Sequence, residues 1–184
     1  MRVASLSGIS LFAFLSIPVF AQNFNADSLA PYIPSPQLVV DRMLEMAHVR
    51  SGETVYDLGS GDGRILITAA TKFGAKAVGI ELSPELCQTT TARIEKLGLQ
   101  DRVTVLHANL LKVDLSPADV VTIYLLTSSN ARLKPNLEKY LRQGARVVSN
   151  DFEIRGWTPK DTSILKVAGM SHTIYLYEIG KKSK

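Results

Sequence analysis

From residue 54 onward, short continuous apolar runs alternate with segments whose apolar positions recur every three or four residues. The runs at 54–58, 77–82, 103–107, 120–126 and 145–149 are rich in Val, Ile and Leu, the pattern of strands buried on both faces. Helices are predicted between most of them. Residues 64–73 end at Gly74, a natural C-cap. Residues 84–97 open with Ser83 as N-cap and Pro84 at the first helical position, and stop at Gly98. Residues 136–142 form a helix that stops at Gly144, with Leu133 just upstream and Leu137, Tyr140 and Leu141 making its apolar stripe. The link at 108–118 is too short for a full helix.

Upstream, Pro31, Pro34 and Pro36 mark residues 23–36 as a loop, and 37–48 reads as a helix with Val39, Met43 and Met46 on one face. The end of the chain changes rhythm. Residues 163–167 and 173–179 read as two strands joined through 168–171, an antiparallel hairpin. The fold class expected is α/β: a Rossmann-like, doubly wound sheet, mostly parallel, finished by that hairpin.

Composition supports a globular chain of one domain, with 184 residues, 46% hydrophobic and 21% charged. A single cysteine excludes an internal disulfide framework, and one Cys with three scattered His makes no metal site. The net charge of +4, without a basic block, leaves nucleic acid no electrostatic footprint. Lys181, Lys182 and Lys184 form a solvated basic tail.

Residues 1–21 stand apart: Arg2, an apolar run at 3–20, and Val19-Phe20-Ala21 as a small-residue cleavage site. They are expected to be a signal peptide or a membrane anchor, and so to bring export or membrane association. A helix packed on the domain is the alternative. The domain plan is then 1–21 as the leader, 22–52 as an N-terminal loop and helix, and 53–180 as the ligand-binding domain.

The chemistry concentrates after the first strand, in Asp57-Leu58-Gly59-Ser60-Gly61-Asp62-Gly63. Gly59 and Gly61 let the backbone turn sharply and approach a ligand, and Gly63 lets the next helix start close to the strand. Asp57 adds negative charge to the crevice, which disfavours a pyrophosphate and favours a ligand bearing ammonium or sulfonium. Glu81 ends the second strand, where an acid accepts hydrogen bonds from ribose hydroxyls. Asn109 follows the third strand, where its amide reads an adenine edge or caps a turn. The spacing G-x-G-x-G, with an acid before it, argues against a nicotinamide dinucleotide.

These residues resemble the first motif, ribose acid and adenine position of the seven-strand, class I S-adenosylmethionine-dependent methyltransferases. The resemblance covers residues 32–179 and implies strand order 3-2-1-4-5-7-6, with S-adenosyl-L-methionine held by Tyr32, Asp57, Gly59, Gly61, Gly63, Glu81 and Asn109. Within that class, Pro31-Tyr32-Ile33-Pro34-Ser35-Pro36, the segment 121–126 and the segment 146–152 look like the small protein-lysine methyltransferases typified by the ATP synthase c-subunit enzyme. Asn150 stands where many of these carry His.

The family resemblance implies that Tyr32 closes over the site and that Tyr124 and Asp151 line the acceptor pocket as catalytic residues. It also implies a partner protein, here expected to be a membrane protein, presenting a lysine. The Asn/Asp-Pro-Pro-aromatic tetrad of enzymes that methylate nucleobase amines is missing after the fourth strand. A small-molecule acceptor is the main alternative, and a non-catalytic cofactor binder a further one. Trp157 is expected to pack under the hairpin rather than to act.

Overall fold

The computed structural model describes residues 29–180. The expectations for 1–21 and for the lysine tail therefore fall outside the described residues. Seven strands form one sheet: β1 (Thr54–Leu58), β2 (Lys76–Glu81), β3 (Val103–His107), β4 (Val120–Ile123), β5 (Arg146–Asn150), β6 (Asp161–Val167) and β7 (Met170–Glu178). Their order is β3-β2-β1-β4-β5-β7-β6, as the resemblance implied. The first five are parallel, and β7 runs antiparallel to both β5 and β6.

Alternation along the strands splits the core in two. Val55, Val120, Val148, Ile174 and Leu176 face α1 (Gln37–Met46), α2 (Arg64–Phe73) and Ile94 of α3 (Pro84–Lys96). Tyr56, Leu58, Val121, Ile123, Val147 and Tyr177 face Leu133 and Leu137 of α4 (Thr127–Tyr140). Both faces of the sheet are thus covered, which is why its strands read as unbroken apolar runs. Ser83 caps α3 by accepting from the Leu86 N–H, with Pro84 at the first position. Trp157 packs edge-on against Tyr177 with centroids 5.6 Å apart, and its indole N–H donates to Glu138.

The structure departs most from the sequence reading at β4, the β6–β7 turn and α4, while the link after β3 is, as expected, too short for a full helix. β4 stops at Ile123 rather than 126, which frees Tyr124 and Leu125 to line a cleft. The link after β3 contains one 3-10 turn, Leu110–Lys112, capped by Asn109. The β6–β7 turn is the two residues Ala168 and Gly169, both at positive φ (50° and 84°), the tight turn that matches strand twist. Finally, α4 starts at Thr127, not 136, with Pro135 inside it. The buried face of its first turns is polar: Asn130 is fully buried and donates to the carbonyls of Phe152 and Glu153. A reading based on apolar periodicity misses such a face.

Candidate active site

Each of the five parallel strands delivers one singled-out residue to its carboxyl end. In spatial order these are Asn109 (after β3), Glu81 (β2), Asp57 with the glycine loop (β1), Tyr124 (after β4) and Asp151 (after β5). Strands lie about 4.8 Å apart, so Glu81 and Tyr124 stand about 10 Å apart across the sheet edge. Ligands of open α/β sheets bind in the crevice at this edge. A cleft open to solvent occupies it, with about 870 Å³ of empty space including its mouth. Tyr32, Asp57, Gly59, Gly61, Glu81, Asn109 and Tyr124 all line it; Gly63 and Asp151 do not.

The glycine loop is shaped by what it must avoid. A Cβ on Gly61 would lie 2.6 Å from the Tyr32 ring, so Tyr32 packs flat on the loop only because residue 61 has no side chain. Gly63 caps α2 at φ 73°, and a Cβ there would meet Thr90 of α3 at 2.5 Å. Its role is therefore close packing between helices rather than a place in the cleft wall. Thr90 also donates from its hydroxyl to the Gly61 carbonyl at 2.8 Å.

Glu81 organises the same loop. One carboxylate oxygen accepts from the Gly61 N–H, and the other accepts from the N–H groups of Leu82 and Ser83, all at 2.9 Å. Each carboxylate oxygen has two lone pairs, so acceptor capacity remains on the Gly61 side for a ligand hydroxyl. Asn109 uses its Oδ1 to cap the 3-10 turn through the Leu111 N–H, so both readings of this residue meet at one side chain on the cleft wall.

Asp57 is almost fully buried, and burial pushes its carboxyl up to about 7. The Thr122 hydroxyl, 2.8 Å away, opposes that rise, while the charges of Glu81 and Asp62 add to it. This cleft thus gathers three acids, of which Asp62 is neutralised by Arg64 in a two-point pair at 2.7 and 2.9 Å. Asp57 is left to be matched by a cation that the ligand brings.

Several contributors had no local signal in the sequence. Arg64 also donates to the Ser35 carbonyl at 2.6 Å, and Asn150 donates to the Ser35 hydroxyl at 3.4 Å. The segment 31–35 is thereby fastened over the cleft from both sides. Ser60 lines the cleft with a buried hydroxyl that has no hydrogen-bond partner among the described residues.

Tyr124 and Asp151 follow the ends of β4 and β5, and of the two only Tyr124 lines the cleft. Burial first, then the Asp151 charge and hydrogen bond, raise the Tyr124 phenol above its usual range. Its ring lies 6.1 Å from that of Phe152. Asp151 sits behind Tyr124 at φ 58°, a left-handed conformation that Asp tolerates better than most residues.

Comparison with known proteins agrees with this geometry. Residues 57–161 match the model of a family described as the ANTKMT methyltransferase domain. The chain is 52% identical over 152 residues to a protein-lysine N-methyltransferase of Saccharolobus islandicus, covering 82% of this chain and 94% of that one. It is 33% identical over 162 residues to the mouse (Mus musculus) ATP synthase c-subunit lysine N-methyltransferase, covering 86% of this chain and 65% of the mouse protein. A crystal structure described as an RNA methyltransferase from Salinibacter ruber in complex with S-adenosyl-L-homocysteine superposes with a TM-score of 0.77. It is 42% identical, with 83% of this chain and 97% of that chain covered.

Proposed function

Because the chain belongs to the ANTKMT methyltransferase family and is an S-adenosylmethionine-dependent methyltransferase, we propose that it methylates the ε-amine of a lysine presented by another protein. The observation that carries this is the 52% identity, over 82% of this chain and 94% of the other, to a relative named for protein-lysine methylation.

The residues present fit the donor. Gly61 leaves the loop bare, Glu81 keeps acceptor capacity for ribose hydroxyls, and Asp57 waits buried among acids for a positive charge. The donor, when bound, supplies a methyl group on a positively charged sulfur, open to direct displacement by a nitrogen lone pair.

The chain's own residues then have three tasks. The loop and Tyr32 hold the donor end of the cleft, so that donor and acceptor meet aligned and about 3 Å apart. Tyr124, on the cleft wall with the Phe152 ring behind it at 6.1 Å, makes the acceptor end aromatic and partly dry, which lowers the pKa of an entering ammonium. Asp151, which stands outside the cleft wall beside Tyr124, or a water takes the proton, leaving the nitrogen lone pair free. The open cleft has room for a side chain that a partner protein brings, and such a partner closes it.

In this reading the apolar run at 3–20 keeps the enzyme at a membrane and the acceptor is a membrane protein. No helix among the described residues is long and apolar enough to cross a bilayer. The mass of the native protein addresses this directly: a start at Gln22 means cleavage, a start at Met1 an anchor or a packed helix.

A second reading, methylation of RNA, draws on the description of the Salinibacter ruber structure. The sequence after β4, Tyr124-Leu125-Leu126-Thr127, is not a nucleobase-amine tetrad. Labelled donor incubated with membrane extract and with total RNA separates the two. Label that protease removes and peptide mass spectrometry finds on lysine supports the proposal, whereas label lost only to ribonuclease overturns it.

A further inference from the structure

Behind Asp151 lies a second layer of contacts to which the methyl-transfer chemistry gives no task. Both oxygens of the Asp151 carboxylate are held by adjacent residues of β7. The Thr173 N–H donates to Oδ1 and His172 Nδ1 meets Oδ2, each at 2.9 Å. The Asp151 N–H also donates to the Thr173 carbonyl at 2.7 Å, so the residue is pinned through backbone and side chain alike.

His172 shares a face of β7 with Ile174 and Leu176, beneath α1, and its side chain is 7% exposed against 22% for Asp151. Its far nitrogen, Nε2, is buried with no hydrogen-bond partner among the described residues. An ionised carboxylate only accepts, so the Nδ1 side of the ring donates in this contact. Two costs therefore meet at one carboxylate: a non-glycine residue in the left-handed region, and a buried nitrogen left unpaired. Such costs collect at functional sites, and this one adjoins Tyr124.

The other charged groups around the ring are engaged or remote. Arg42 of α1 donates to Ser163 and approaches Glu45, Asp41 of α1 is paired with Lys72, and Asp161 and Lys166 lie exposed on β6. Asp151 is the charged group in contact with the imidazole.

We propose that His172 is a positioning residue for methyl transfer: through its Nδ1 contact it fixes the Asp151 carboxylate against Tyr124, which lines the cleft. This rests on the reading of Asp151 as the proton acceptor. The proton leaves the lysine ammonium for the Asp151 carboxylate, giving a neutral amine and a carboxylic acid.

The test is label transfer from S-adenosylmethionine into membrane extract, with kcat and the KM for the donor measured separately, for the full chain and three variants. His172→Ala removes the group that holds Asp151 Oδ2, so kcat should fall about tenfold while the KM for the donor keeps the parent's value. His172→Asn, whose amide replaces Nδ1–H, should restore kcat. A donor KM that rises by the same factor, an unchanged kcat, or no rescue by His172→Asn overturns the proposal. Asp151→Asn separates the two residues' roles: full activity there means that Asp151 is not the acceptor, whereas loss there with an unchanged His172→Ala kcat removes His172 alone. Nitrogen-15 NMR of the parent imidazole gives a result independent of folding in the variants, since a proton on Nε2 instead of Nδ1 also overturns the assignment.

Discussion

Thr122 on β4 donates a 2.8 Å hydrogen bond to Asp57 on β1, its direct partner across the parallel pair, and both side chains are buried. The hydroxyl stabilises the ionised carboxylate, yet burial wins and leaves Asp57 titrating at about 7. A cation bound beside it draws the proton off. Affinity for S-adenosylmethionine should therefore rise from pH 6 to pH 8 and then level, with proton release that calorimetry in buffers of different ionisation enthalpy detects. Thr122→Val removes the donor and should move this transition about one unit further alkaline.

The same shift bears on stability without ligand. The folded-state pKa of Asp57 lies above the unfolded value of 3.8, so the folded chain binds more protons between pH 4 and pH 7. Stability is highest below that window and falls as pH rises through it, by an amount on the order of 4 kcal/mol at most. Asp57→Asn should melt higher than the parent at pH 8, and the gap should close toward pH 4. Thermal denaturation without donor measures it; equal melting at pH 8 would show that the carboxylate is not penalised by burial.

Gly61→Ala should weaken donor binding about tenfold or more, because the new methyl enters the space of the Tyr32 ring at φ 52°. Gly180→Ala, where an added Cβ meets nothing within 4 Å, should bind like the parent. Titration of S-adenosylhomocysteine into both compares them.

Glu81→Ala removes the acceptor of three backbone N–H groups and of any ribose hydroxyl. Loss of such charge-assisted bonds costs about 1.5–3 kcal/mol each, so donor affinity should drop at least roughly tenfold. Glu81→Gln keeps an acceptor oxygen and should fall between the two. Equal affinity in all three proteins would move the ribose contact elsewhere.

The glycine-loop end of the cleft was legible in the sequence because it is local. Asp57 to Gly63 form one turn whose residue types follow from its backbone, and Glu81 ends the neighbouring strand. What escaped depends on distant pairing. Gly79 is just another residue of β2 until folding brings Ser60 and Leu66 to within 2.6 Å of where its Cβ would lie. His172 gains meaning only through the antiparallel register that sets β7 beside β5 and brings it to Asp151. In α4, Pro135 and the buried Ser129 and Asn130 hid the first half of the helix, since polar residues can be internal when carbonyls of another loop receive them. The strand order was carried by resemblance rather than by periodicity, which has no means of ordering strands.

Ser35 is fastened through its carbonyl to Arg64 beside the glycine loop, and through its hydroxyl to Asn150 at the end of β5. A ligand that lifts Tyr32 from the donor side therefore pulls on a strap whose far end reaches the acceptor side. One residue of the proline-rich segment thus couples the glycine loop to the far strand, and a displacement at either end is felt at the other.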